Sequence, residues 1–286
     1  MCDGAMGTTL QLMGLPAGTA PETWNLERPE AVEAVHRSYV EAGAELVQTN
    51  SIGANSLSLD RHGLAGRVAE LNRAGVEIAR RAAGGKAAVL GDVGPTGRLL
   101  KPYGDLEPER VQEAFAQQIG ALVGAGADGL ILETFVALEE AVAAVRAAKA
   151  SANVPVICSM AFGSGGRTVM GVTGGEAARA LLDEGADVVG ANCGSGPEDM
   201  FLAIEQMREE ARGALLIAQP NAGVPRLVGD KTVFSATPEE MARWAAQFVD
   251  MGVNIVGSCC GSTHLHTAAI ARAVKGWAQG RASRSP

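Results

Sequence analysis

Short, unbroken apolar runs alternate with longer stretches in which apolar positions recur every three to four residues, and that alternation organises the whole chain. The short runs at 44–50, 87–92, 129–134, 154–160, 187–193, 214–218 and 253–256 read as strands. Helical spacing fills 29–42, 66–83, 108–124, 138–150, 175–184, 198–212, 238–251 and 263–279, and a polar tail follows. Pro29 sits where a helix start tolerates it. The opening Met1-Cys2-Asp3-Gly4-Ala5-Met6-Gly7-Thr8 reads as the end of a strand entering a glycine turn, with almost no strand before it. Either that first strand is very short or the native start lies upstream.

Counting Cys2-Asp3 as a strand stub gives eight β/α units. The strands are apolar throughout, as parallel strands buried on both faces should be. The expectation is an α/β fold, a single (β/α)8 TIM barrel spanning residues 1–286 as one domain, with no linker or composition break. A doubly wound open sheet is the alternative. Against it, no G-x-G-x-x-G follows the first strand and the glycine-rich turns are spread over many units.

Composition narrows the partners. Glycine is enriched, 37 of 286 residues, which suits many tight strand-to-helix turns. A formal charge of −8 with no Lys/Arg cluster argues against nucleic acid or an anionic membrane surface. No apolar run approaches the ~18 residues of a membrane span and no signal peptide opens the chain, so a cytoplasmic protein is expected. An odd count of five cysteines fits a reducing compartment better than a disulfide framework.

Candidate chemistry gathers at the carboxyl ends of the strands, which a barrel brings to one face. Asp3, Gln48-Thr49-Asn50, Asp92, Glu133-Thr134, Asn192-Cys193, Pro220-Asn221 and Cys259-Cys260 all fall there. Cys259 and Cys260 lie between Gly257 and Gly261, on a tight turn after the last strand. Two thiolates suit a soft metal such as zinc, and Cys193 is the natural third ligand. Three sulfurs leave one position open, the mark of a catalytic site. The bland readings are a vicinal disulfide, small buried residues, a core Cys193, a solvated Asp3 and a structural ion pair at Glu133. Cys158 reads as core. His264 and His266 open a helix and are read as non-ligands, because three sulfurs suffice.

With these residues assembled, the chain resembles the homocysteine S-methyltransferase family. The resemblance rests on Asp3–Thr8, Gln48-Thr49-Asn50, Gly94-Pro95-Thr96, Glu133-Thr134-Phe135, Gly190-Ala191-Asn192-Cys193, Asn221-Ala222-Gly223 and Gly257-Ser258-Cys259-Cys260-Gly261. The wording of 3–8 and 166–168 is closest to the homocysteine-binding module of cobalamin-dependent methionine synthase. The resemblance implies zinc on Cys193, Cys259 and Cys260, with the homocysteine sulfur as fourth ligand. A free thiol has a pKa of about 8.5, and zinc coordination removes its proton at neutral pH. The thiolate would displace a methyl group in line from an activated donor, giving methionine without a general base. It further implies that Asp3 and Glu133 hold the substrate ammonium and that backbone N–H groups near Gly4 and Ala5 take its carboxylate. Asn192 and Asn221 join the substrate-binding set, with Asn221 at the fourth zinc position when substrate is absent.

Two rival classes carry less. A Schiff-base aldolase needs a lysine at a strand end, yet Lys86 precedes its strand and Lys101 and Lys231 are expected in loops. A zinc-stabilised docking scaffold does not need an open metal position facing two carboxylates. The expected donor is methylcobalamin on another domain or corrinoid protein, since the strand ends offer a quaternary ammonium few rings, chiefly Phe135, Phe162, Trp24 and Tyr103. The alternative is a self-contained enzyme using S-methylmethionine or a betaine, or acting on selenohomocysteine or another thiol.

Overall fold

In the computed structural model, which describes residues 1–229 and 231–282, seven parallel strands follow one another around a curled sheet in chain order. They are β1 (Leu46–Gln48), β2 (Ala88–Val93), β3 (Gly129–Phe135), β4 (Val156–Met160), β5 (Val188–Cys193), β6 (Leu216–Pro220) and β9 (Ile255–Val256). A separate antiparallel hairpin, β7 (Arg226–Val228) with β8 (Lys231–Val233), rises from the loop after β6. The helices are α1 (Gly7–Leu12), α2 (Trp24–Glu27), α3 (Pro29–Glu41), α4 (Ser56–Asp60), α5 (Val68–Ala83) and α6 (Pro108–Gly124). After them come α7 (Leu138–Ser151), α8 (Gly174–Asp183), α9 (Pro197–Glu210), α10 (Pro238–Asp250) and α11 (His264–Ala282). Among the described residues none is long and apolar enough to cross a membrane.

The ring closes through the first three residues. Cys2 bridges in parallel to Leu46, its N–H donates to Val256 O at 2.8 Å, and Ser258 N–H donates to Asp3 O at 3.2 Å. The stub read from the sequence is therefore the eighth stave of the (β/α)8 barrel, too short to register as a strand of its own.

One side chain from each of the seven strands fills the lumen: Leu46, Leu90, Ile131, Ile157, Val188, Ile217 and Ile255. Because strand side chains alternate faces, the lumen layer two residues further on is Gln48, Asp92, Glu133, Ser159, Gly190, Gln219 and Gly257. The barrel thus changes from wholly apolar to polar within one layer, and the polar layer floors the carboxyl-end face. Outside the strands, the larger core packs the helices against the barrel. Helix starts are fixed locally: Thr173 with Glu176 and Thr237 with Glu240 form capping boxes at α8 and α10.

Two readings need correction. The sixth strand, expected at 214–218, runs Leu216–Pro220, because Asn192 pairs with Gln219 and Cys193 with Pro220 in the β5–β6 ladder. Lys231 lies in β8 and not in a loop, on a hairpin outside the barrel ladder. The short helices α1, α2 and α4 interrupt loops that carry no long periodic pattern. Of the polar tail, residues 283–286 lie outside the described residues.

Candidate active site

Three sulfurs converge at the barrel mouth. Cys193 ends β5, while Cys259 and Cys260 occupy the turn after β9. Cys193 Sγ lies 4.0 Å from Cys260 Sγ, and Cys259 Sγ lies 3.9 Å from Cys260 Sγ. All three sulfurs fall within 4.8 Å of one another. The turn is pinned on both sides: Cys259 N–H donates to Pro220 O at 2.8 Å and Ala222 N–H to Cys260 O at 2.9 Å. Gly261 has φ +79°, and a Cβ there would fall 2.2 Å from Phe234 Cγ. Cys193 itself adopts φ +58°, a conformation L-residues rarely hold outside constrained sites. Within the cluster, thiol hydrogen bonds from Cys259 and then Cys260 push the Cys193 pKa down to about 3, while Cys260 is pushed up to about 12 and Cys259 rises well above the usual thiol range. The arrangement favours one thiolate held by two thiols.

Beside the sulfurs lie the carboxylates. Asp3 Oδ2 accepts the Gln48 N–H at 2.9 Å and its Oδ1 the Cys2 thiol at 3.6 Å. Glu133 Oε2 accepts from Gln48 Nε2 at 3.1 Å and its Oε1 from Thr134 Oγ1 at 3.4 Å. Burial raises Asp3 to about 7. Burial, then the charge on Cys193, then that on Asp3, raises Glu133 to about 8. Among the described residues no basic side chain forms an ion pair or hydrogen bond with Asp3 or Glu133, and such buried acids suit a cationic group.

Asn192 connects the two groups. Its side chain is fully buried, accepts from Thr134 N–H and Ser159 Oγ at 2.8 Å each, donates to Thr134 Oγ1 at 2.7 Å, and directs Nδ2 toward Cys259 Sγ at 4.0 Å. Asn221 donates to Gly194 O at 2.9 Å, and its buried Oδ1 has no hydrogen-bond partner. Ala5 N–H donates to Ser262 Oγ at 3.1 Å, and that hydroxyl donates to Cys259 O at 2.7 Å. Gly4 is required by space: a Cβ there would lie 2.8 Å from Ser262 Oγ and 2.9 Å from the Tyr39 ring. His266 accepts from Thr263 N–H through Nδ1 at 3.1 Å and contacts Ala236 O through Nε2 at 3.0 Å, so both ring nitrogens are engaged at the start of α11. Cys158 is fully buried in the main core.

Sequence reading did not assign roles to Gln48, Thr134, Ser262, Tyr39 or Phe234. Gln48 and Thr134 sit at strand ends and were within reach of that signal. Ser262, Tyr39 and Phe234 act from a turn, a helix and the segment that follows the hairpin, where no periodicity points inward.

A family model described as homocysteine S-methyltransferase matches residues 1–274. The methionine synthase of Mycobacterium tuberculosis is 33% identical over 290 residues, covering 95% of this chain and 24% of its own length. Betaine–homocysteine S-methyltransferase 1 of Bos taurus is 34% identical over 291 residues, covering 94% of this chain and 70% of its own. The chain thus spans about a quarter of the length of the methionine synthase it matches. Among solved structures, the metallated form of the Escherichia coli homocysteine methyltransferase MmuM superposes with a TM-score of 0.80 at 24% identity, covering 95% of this chain and 94% of that one, a likeness of fold.

Proposed function

Because the chain belongs to the homocysteine S-methyltransferase family, we propose that it methylates homocysteine to methionine at a zinc site formed by Cys193, Cys259 and Cys260. The observation that carries the reading is the sulfur spacing. Tetrahedral zinc with bonds of about 2.3 Å holds its sulfurs about 3.8 Å apart, against 3.9 and 4.0 Å here. The unpartnered Oδ1 of Asn221 supports it, since the side chain lies close enough to Cys193 to help lower its pKa. A bound zinc ion would supply the Lewis acidity that keeps a thiol ionised near neutral pH.

The remaining work belongs to the chain's own groups. Asp3 and Glu133 hold the substrate ammonium, and backbone N–H groups around Gly4 and Ala5 take its carboxylate, displacing Ser262 Oγ from the Ala5 N–H. Asn192 keeps Thr134, and through it Glu133, in register with the sulfurs. The substrate is then fixed at both ends of its α-carbon with its sulfur at the thiol cluster, so that a methyl donor is met in line from the open mouth.

For the donor we propose methylcobalamin carried by another domain or a corrinoid protein. A betaine or S-methylmethionine cage calls for aromatic faces or a closed pocket at the mouth. Phe135, Phe162 and Trp24 are instead buried in the core, and Tyr103 stands exposed on a loop. Elemental analysis with zinc-edge X-ray absorption during homocysteine titration tests the site: one zinc per chain and a fourth sulfur on titration are expected. A sulfur count that ignores homocysteine would overturn the reading. Turnover with methylcobalamin, S-methylmethionine and betaine compared side by side separates the donors.

A further inference from the structure

Asp92 belongs to the same polar lumen layer as Glu133 but has no part in the reading so far. It follows Leu90 by two residues on β2, as Glu133 follows Ile131 on β3, and Asp92 is the Cα partner of Ile131 in the parallel ladder. Its backbone is held on three sides: the N–H donates to Thr49 Oγ1 at 2.9 Å, and the carbonyl accepts from Ser51 Oγ at 2.7 Å and from Gln118 Nε2 at 3.2 Å. The side chain is 6% exposed, and its Oδ1 is buried with no hydrogen-bond partner. Burial, then facing Glu133 and Asp3, raises its pKa well above the carboxylate range.

Such an acceptor is costly to leave empty, and more so when it is charged. Asp3 and Glu133 each already accept from the protein through both oxygens, whereas Asp92 accepts through neither in the described hydrogen bonds. A primary ammonium carries three N–H donors and needs three acceptors to be desolvated without loss. We infer that Asp92 is the third acceptor for the substrate ammonium, so that the pocket selects a primary α-amine with all three N–H bonds present. This rests on the functional reading above.

The test compares L-homocysteine with 4-sulfanylbutanoate, which keeps the thiol and carboxylate and lacks the amine, by calorimetric titration of zinc-loaded protein. The wild type should prefer homocysteine, and Asp92→Asn should cut that preference about tenfold or more while zinc content and 4-sulfanylbutanoate affinity stay unchanged. An unchanged preference in Asp92→Asn beside a lost one in Glu133→Gln would overturn the inference and leave the functional reading standing. No preference in the wild type would overturn both. A measurement without any variant guards against misfolding: N-methyl-L-homocysteine, charged but one N–H short, should bind the wild type about tenfold more weakly, and equal binding would overturn the inference.

Discussion

Asn192 on β5 grips Thr134 on β3 by both ends of its amide, accepting the Thr134 N–H at 2.8 Å and donating to its hydroxyl at 2.7 Å. Thr134 is held at φ +66° by that grip, and the adjoining Glu133 carboxylate is oriented as a result. One buried amide therefore links the proposed ammonium acceptor Glu133 to the sulfur cluster.

Replacing that amide should cost both stability and binding. Asn192→Ala leaves Ser159 Oγ and the Thr134 N–H without this partner and should destabilise by roughly 2–3 kcal/mol in urea unfolding. Homocysteine affinity should fall with it. Adding Thr134→Gly, which accepts positive φ without strain, should recover part of the stability. No recovery would mean the backbone at 134 stores no strain.

Cys260→Ala should lower zinc content from about one per chain to near none and abolish turnover, with the far-ultraviolet circular dichroism unchanged. Full activity with no metal bound would overturn the proposed mechanism.

Acidity should act in opposite directions on the empty and the occupied protein. Asp3 and Glu133 titrate near 7 and 8 in the fold against 3.8 and 4.5 for the free groups, so the folded state keeps protons the unfolded chain has lost. Their contribution is complete below about pH 4 and disappears as pH rises through 7 and 8. The melting temperature of the empty protein should fall over that window. Binding an ammonium needs the carboxylates ionised, so L-methionine, which has no thiol to titrate, should bind more tightly at pH 8.5 than at pH 6 and release protons as it binds. Calorimetry in buffers of different ionisation heat measures that release; its absence would remove these carboxylates from the ammonium site.

Gly261→Ala should loosen zinc by a steric route. The new Cβ meets the Phe234 ring in a backbone conformation that disfavours it, next to Cys260. A chelator competition should show weaker metal retention, and Phe234→Ala in the same chain should restore part of it.

Much of this architecture is legible in the amino-acid sequence. The periodic helices from Pro108–Gly124 to Pro238–Asp250 lie within two residues of where the pattern placed them, and each apolar run holds a strand whose ends differ from the pattern by a few residues, because parallel strands buried on both faces leave a plain signature. The meeting of Cys193 with Cys259 and Cys260 was legible for a related reason: strand ends on one barrel share a face. What the pattern did not carry was register and loop geometry. Pro220 lies inside β6 because Cys193 pairs with it, a fact held by the neighbouring strand. The Ser262 bridge between Ala5 and Cys259 joins residues more than 250 positions apart, and nothing local announces it.

The first residues close the barrel against Leu46 and Val256, and Asp3 stands in that seam beside the turn that bears Cys259 and Cys260. Assembly of the binding pocket and completion of the fold are consequently one event. A chain whose seam has parted no longer holds Asp3, the proposed ammonium acceptor, beside the turn that bears the thiols. Amino-acid ligands should then act as a clasp, slowing the opening of the seam in proportion to their occupancy. Hydrogen exchange at the Cys2 and Ser258 amides would report it.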